Sequence, residues 1–158
     1  MAIKVLRGNV TPGYKVTAGQ TIYGGLGVQL SADGESIEVG GAEPIGLAVE
    51  SNVYFPAQAS QPDNTIGDGF DYPNYNRGGR ICVVNLGAEV ELFDDKRAAA
   101  GASHPVLTSD TFTPNAIVYA DATTGKITTT AGSNKRVGRV SNVGGTGASL
   151  VLKIVVEI

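Results

Sequence analysis

The 158-residue chain has no tryptophan, one cysteine, one histidine and one methionine, and only 17% of its residues are charged. Each shortage removes a class of function. With a single thiol, Cys82, no intramolecular disulfide can form, so the fold does not depend on an oxidising compartment. One Cys and one His cannot build a zinc site of the usual Cys/His type. His104 is the single candidate base for a catalytic triad, and the chain has no G-x-S-x-G elbow to supply its nucleophile. The ordinary assignments are therefore expected. Cys82, inside Ile81-Cys82-Val83-Val84, reads as a small buried apolar residue. His104, followed by Pro105, reads as a surface-loop residue. No apolar run approaches the roughly 18 residues of a membrane span. The segment Met1-Ala2-Ile3-Lys4-Val5-Leu6 carries no signal-peptide pattern, and a protein made and kept in the cytoplasm, or assembled there, is expected. The net charge is −3. Its basic residues are scattered in pairs (Arg77 with Arg80, Lys96 with Arg97, Lys135 with Arg136), which argues against a nucleic-acid partner.

What the chain does have is glycine, 22 residues of it, about twice average usage. The glycines punctuate short apolar runs and so mark tight turns rather than disorder. The length suits one domain with its own core. A pattern occurs twice. The first copy runs Thr21-Ile22-Tyr23, a Gly turn, Ser36-Ile37-Glu38-Val39, then Pro44-Ile45-Gly46-Leu47-Ala48-Val49. The second runs Ile117-Val118-Tyr119, Thr124-Gly125, Lys126-Ile127-Thr128-Thr129, then Arg136-Val137-Gly138-Arg139-Val140. The two copies predict the two halves of one barrel, with Gly46 and Gly138 in equivalent strands. Strands are expected at Gln20–Tyr23, Gly27–Leu30, Ser36–Val39 and Ile45–Glu50, with a tight hairpin at Ala32-Asp33-Gly34-Glu35. Alternation predicts a half-wet strand over Ala88–Phe93 and a long one over Ala148–Glu157, with Leu150, Leu152, Ile154 and Val156 on one face. Residues 1–20 read as an N-terminal arm or an edge strand, and 21–158 as a single β-barrel domain. The one helix expected is short, from Asp94 to Gly101, capped by Asp94.

Residues 51–80 break the pattern and read as a long loop. Such loops are functional or disordered, or pack on themselves. This one carries Tyr54, Phe55, Tyr72 and Tyr75, with Arg77 and Arg80 at its end, and these six are the candidate partner-binding residues. Two other motifs carry less. The oxygen-rich stretch Asp63–Asp71 misses the EF-hand register, so no metal is expected. The runs Gly24-Gly25-Leu26-Gly27 and Gly144-Gly145-Thr146-Gly147 precede no helical pattern, so they read as turns and not as phosphate loops.

Pro44–Val49, the stretches Asn115–Tyr119 and Thr124–Thr128, Arg136–Val140 and the terminal run Leu150–Ile154 resemble the capsid decoration (head cement) proteins of tailed phages. The resemblance covers roughly residues 15–50 and 80–158. It implies an all-β fold, a small β-barrel or β-tulip with long loops. It implies a structural virion protein on the outer capsid surface, partnered by the major capsid protein lattice and by copies of itself as a homotrimer. No cofactor and no catalytic residues follow from it. The alternative from the residues alone is a glycan-binding β-module of a tail fibre or adhesin, with Tyr54, Tyr72 and Tyr75 stacking on sugars.

Overall fold

The computed structural model describes residues 2–11, 13–40, 42–49, 51, 80–94 and 104–158. In these the chain is all-β, as the sequence predicts. The strands are β1 (Ile3–Arg7), β2 (Lys15–Val16), β3 (Gly27–Leu30), β4 (Ser36–Val39), β5 (Pro44–Ala48), β6 (Val83–Val84), β7 (Glu89–Leu92), β8 (Ile117–Ala120), β9 (Ile127–Thr128), β10 (Lys135–Gly144) and β11 (Val151–Val156). They form a six-stranded sheet, β1-β7-β11-β10-β8-β9, and a five-stranded sheet, β2-β4-β3-β5-β6. The helix predicted after Asp94 lies outside the described residues. Among them the only helix is the 3-10 turn Gly147–Ser149, in the connection between β10 and β11.

The N-terminal segment belongs to both sheets. β1 is the edge of the larger one, paired to β7. Val10 and Tyr14 then bridge to Val84 and Ile81, and β2 runs parallel to β4. In β11 the residues Leu152, Ile154 and Val156 are fully buried, and those between them are half-buried. This is the predicted alternation.

The repeat is real, but its register differs from the one the Tyr residues suggest. Adding 90 to a residue number carries Val28 to Val118 and Ile37 to Ile127, which are equivalent in strand order and pairing. Ile117–Tyr119 therefore matches Gly27–Gln29, and Thr21–Tyr23 matches Thr111–Thr113. Residues 20–23 form no strand. Their Ile22 is instead buried, as is its counterpart Phe112. The equivalence extends to single hydrogen bonds. The Thr17 amide donates to the Ile37 carbonyl and the Leu107 amide to the Ile127 carbonyl, each at 2.9 Å. The Gln20 side chain accepts from the Val39 amide, and the Asp110 carboxylate accepts from the Thr129 amide. Gly25, at φ 90°, is matched by Asn115, at φ 69°, the one non-glycine with positive φ among the described residues. Asn is one of the few side chains that tolerates that region.

A one-residue bulge ends each copy. Ile45 in β5 and Val137 in β10 are the extra residues, so Gly46 faces Val28 and Gly138 faces Val118. The offset here is 92 (46 to 138). Both glycines are needed for close approach. A Cβ on Gly46 would collide with the Val84 carbonyl, and one on Gly138 with the Val155 carbonyl.

Two apolar cores follow the same division except at Leu47, a first-copy residue that packs in the second core. One holds Val16, Ile22, Val28, Ile37 and Ala48; the other holds their equivalents Val106, Phe112, Val118, Ile127 and Val140. Each fully buried aliphatic side chain contributes about 1.5–3 kcal/mol. The copies meet where the Gly27 amide donates to the Gly125 carbonyl at 2.7 Å. Gly125, at φ 66°, leaves no room for a Cβ beside the Gly27 oxygen.

Candidate functional site

Of the six predicted partner-binding residues, Tyr54, Phe55, Tyr72, Tyr75 and Arg77 lie outside the described residues, as does the oxygen-rich stretch 63–71. Arg80 is described. It is exposed, and its guanidinium donates to the Gly13 carbonyl at 2.8 Å, tying the chain ahead of β2 to the start of the β6 segment.

His104 is not the surface-loop residue expected from its Pro neighbour. It is fully buried. Its Nε2 lies 3.0 Å from the Leu150 carbonyl, and its Nδ1 accepts from the Val106 amide at 3.2 Å. A carbonyl can only accept, so Nε2 carries the proton and the neutral tautomer is fixed. Burial lowers the pKa from 6.5. The Leu150 bond and Asp94 oppose that shift, and Lys126 adds to it. Both ring nitrogens are committed, so the imidazole acts as a buried cross-link between the chain before β8 and the start of β11.

Cys82 also departs from expectation, being half-buried. Ile81 and Val83 point inward at 1% exposure. Period-two alternation then turns Cys82 the other way.

The acidic residues at the repeat turns are committed in the same fashion. Asp33 accepts from the Ser31 hydroxyl and from the amides of Glu35 and Ser36. Ser31 first, then these amides, hold its carboxyl far below the usual range. Asp121 accepts from the amide and hydroxyl of Thr124, which lower its pKa. Asp110 ties down Thr128 and Thr129.

The outer face of the six-stranded sheet is a ladder of charges. Lys4 pairs in register with Glu91, and Glu91 with Lys153. Arg7 meets Glu89 at 3.0 Å, and Glu157 holds both Arg136 and Arg139. Such part-exposed pairs each contribute about 0–1 kcal/mol. They describe a solvated face.

A cavity of about 200 Å³ opens where the two copies meet. The first copy lines it with Thr21, Tyr23, Leu26 and Val39; the second supplies His104, Thr124 and Lys126. Sequence reading did not find it. Tyr23 and Lys126 were visible only as members of the repeat, and nothing local says that they converge. Among the described residues, no group of three or more His, Cys, Asp or Glu is placed to hold a metal ion.

Comparison with protein families, curated proteins and solved structures gives no match.

Proposed function

We propose that the chain is a structural virion protein that binds the outer surface of an assembled phage capsid and stabilises it. The observation that carries the reading is where the resemblance residues sit. Pro44–Ala48 and Arg136–Val140 occupy equivalent bulged strands, and Leu150–Ile154 leads into and forms much of the central strand β11. What resembles the decoration proteins is thus the scaffold of this chain, not a scatter of loop residues. The polar groups described above are spent on holding that scaffold in shape, which suits a protein whose work is done by surface contacts. A repeated shell also suits modest affinity, because linked contacts multiply it. Self-association as a homotrimer belongs to the same proposal.

The test is to mix the purified chain with expanded, undecorated capsids and measure co-sedimentation, then image the particles by electron microscopy. Saturable binding at a fixed ratio per capsid subunit is expected, and light scattering checks the trimer. No binding, together with a positive signal on a glycan array, would replace this reading with a sugar-binding module that uses Tyr54, Tyr72 and Tyr75.

A further inference from the structure

We propose that the cavity between the two copies is a receptor for an apolar group, about the size of one aromatic side chain, that carries a carboxylate. Three observations lead there. The first is size. At about 200 Å³ the cavity is smaller than the roughly 300–1,000 Å³ of sites for drug-sized ligands, yet larger than the ~150 Å³ apolar cavity that accepts benzene. The second is lining. Leu26 and Val39 are apolar, and His104 is neutral with both nitrogens occupied, so its ring serves as a wall. Lys126 is the one cation among the described lining residues, and among the described residues it forms no ion pair. Asp94, the acid that acts on His104, is not among the described lining residues. The third is divergence. The equivalents of Tyr23, Leu26, Val39, His104, Thr124 and Lys126 are Thr113, Ala116, Thr129, Tyr14, Gly34 and Ser36. Val16, Ile22, Val28, Ile37 and Ala48 keep their apolar character between copies, whereas these six change in size or chemistry, and among the described lining residues only Thr21 keeps its type, as Thr111. Packing the scaffold does not account for a Lys facing this space.

The probe is 3-phenylpropionate, titrated into the full-length ¹⁵N-labelled chain and followed by amide chemical shifts. Saturable shifts are expected at Tyr23, Leu26, Val39 and Lys126, with a dissociation constant of about 1 mM, as ligand efficiency allows for so small a molecule. Lys126 is half-exposed, so Lys126→Gln should fold normally and weaken binding about tenfold, as should replacing the probe by its neutral amide. Absence of saturable shifts overturns the proposal, and so does equal binding of acid and amide. A second arm finds the source of the group. If Lys126→Glu weakens capsid binding at least tenfold, the group is a C-terminal apolar residue of a lattice subunit, whose α-carboxylate meets Lys126. If capsid binding is unchanged while phenylpropionate binding is lost, the group is a free small carboxylate. Because the first arm uses no capsids, its failure is distinct from failure of the capsid reading.

Discussion

His104 makes the fold sensitive to mild acid in a way that one substitution removes. In the folded chain the imidazole is fully buried and its pKa is lowered from 6.5, mainly by burial. The unfolded chain leaves it near that ordinary value. Above pH 7 both states are neutral at this site, and stability does not depend on its titration. As pH falls through 6.5 the unfolded chain takes up a proton that the folded chain refuses, so unfolding becomes more favourable. The loss accrues at up to about 1.4 kcal/mol per pH unit until the folded pKa is passed. Between pH 6.5 and 5 it is therefore at most about 2 kcal/mol. Carboxylates with ordinary values near 4 contribute little in that window. The Asp33 and Asp121 carboxyls, whose folded values are lowered, withdraw their stabilisation only at still lower pH. The assay is urea unfolding from pH 8 to 5 on wild type and His104→Gln. Gln can still donate to the Leu150 carbonyl but does not titrate, and it leaves the Val106 amide without its acceptor. The variant should be less stable by about 1–3 kcal/mol at pH 8, and its stability should change less between pH 6.5 and 5. Equal pH slopes for the two proteins would refute the argument, as would an ordinary His104 pKa by NMR in the folded state.

Gly138→Ala should lower stability by about 1–3 kcal/mol or more, because the new methyl meets the Val155 carbonyl inside a sheet that cannot move aside. Gly144→Ala, at the end of the same strand with nothing near its Cβ, should change the thermal midpoint little; equal effects of the two would mean that close approach is not what Gly138 provides. Asp33→Ala should lower the midpoint at pH 7, since one carboxylate organises the whole β3–β4 hairpin. Because the Asp33 pKa is lowered in the folded state, the gap between mutant and wild type should hold from pH 7 to about 5 and narrow only in stronger acid; narrowing at pH 6 would point to another group.

Much of the scaffold was legible because period-two alternation and glycine placement are local signals. β11, β7 and the hairpin after β3 follow from them, and so does the equivalence of Gly46 and Gly138. What failed to show was whatever depends on distant partners. The Tyr at the end of each apparent run suggested a register, but Tyr23 precedes a turn whereas Tyr119 lies within a strand. The equivalence only becomes clear from the pairing of Gln29 with Glu38 and of Tyr119 with Thr128. His104 looked exposed beside Pro105 because its burial is decided by a carbonyl 46 residues away. The cavity was invisible for the same reason, being walled by residues from both copies. The aromatic candidates in 51–80 lie outside the described residues, so the structure leaves them as sequence readings.

Duplication explains why this scaffold is symmetric inside and asymmetric outside. Val16, Val28 and Ile37 recur unchanged as Val106, Val118 and Ile127 because each packs the same core position of its own sheet. Nothing holds the outer residues to that rule. Glu43 and Lys135 hold equivalent positions (43 + 92 = 135) and lie 3.8 Å apart across the junction. Two identical copies meeting there would set Glu against Glu or Lys against Lys; the chain sets one against the other. Both side chains are more than half exposed, at 86% and 56%, so the attraction adds little to stability. Its value is in removing a repulsion between like charges. The cavity follows the same logic at a deeper level. Its Lys126 and His104 come from the second copy and its Tyr23 and Leu26 from the first, a combination that neither copy holds alone. A single copy would supply the strand order and the bulge, but only the joined and diverged pair supplies a place to bind.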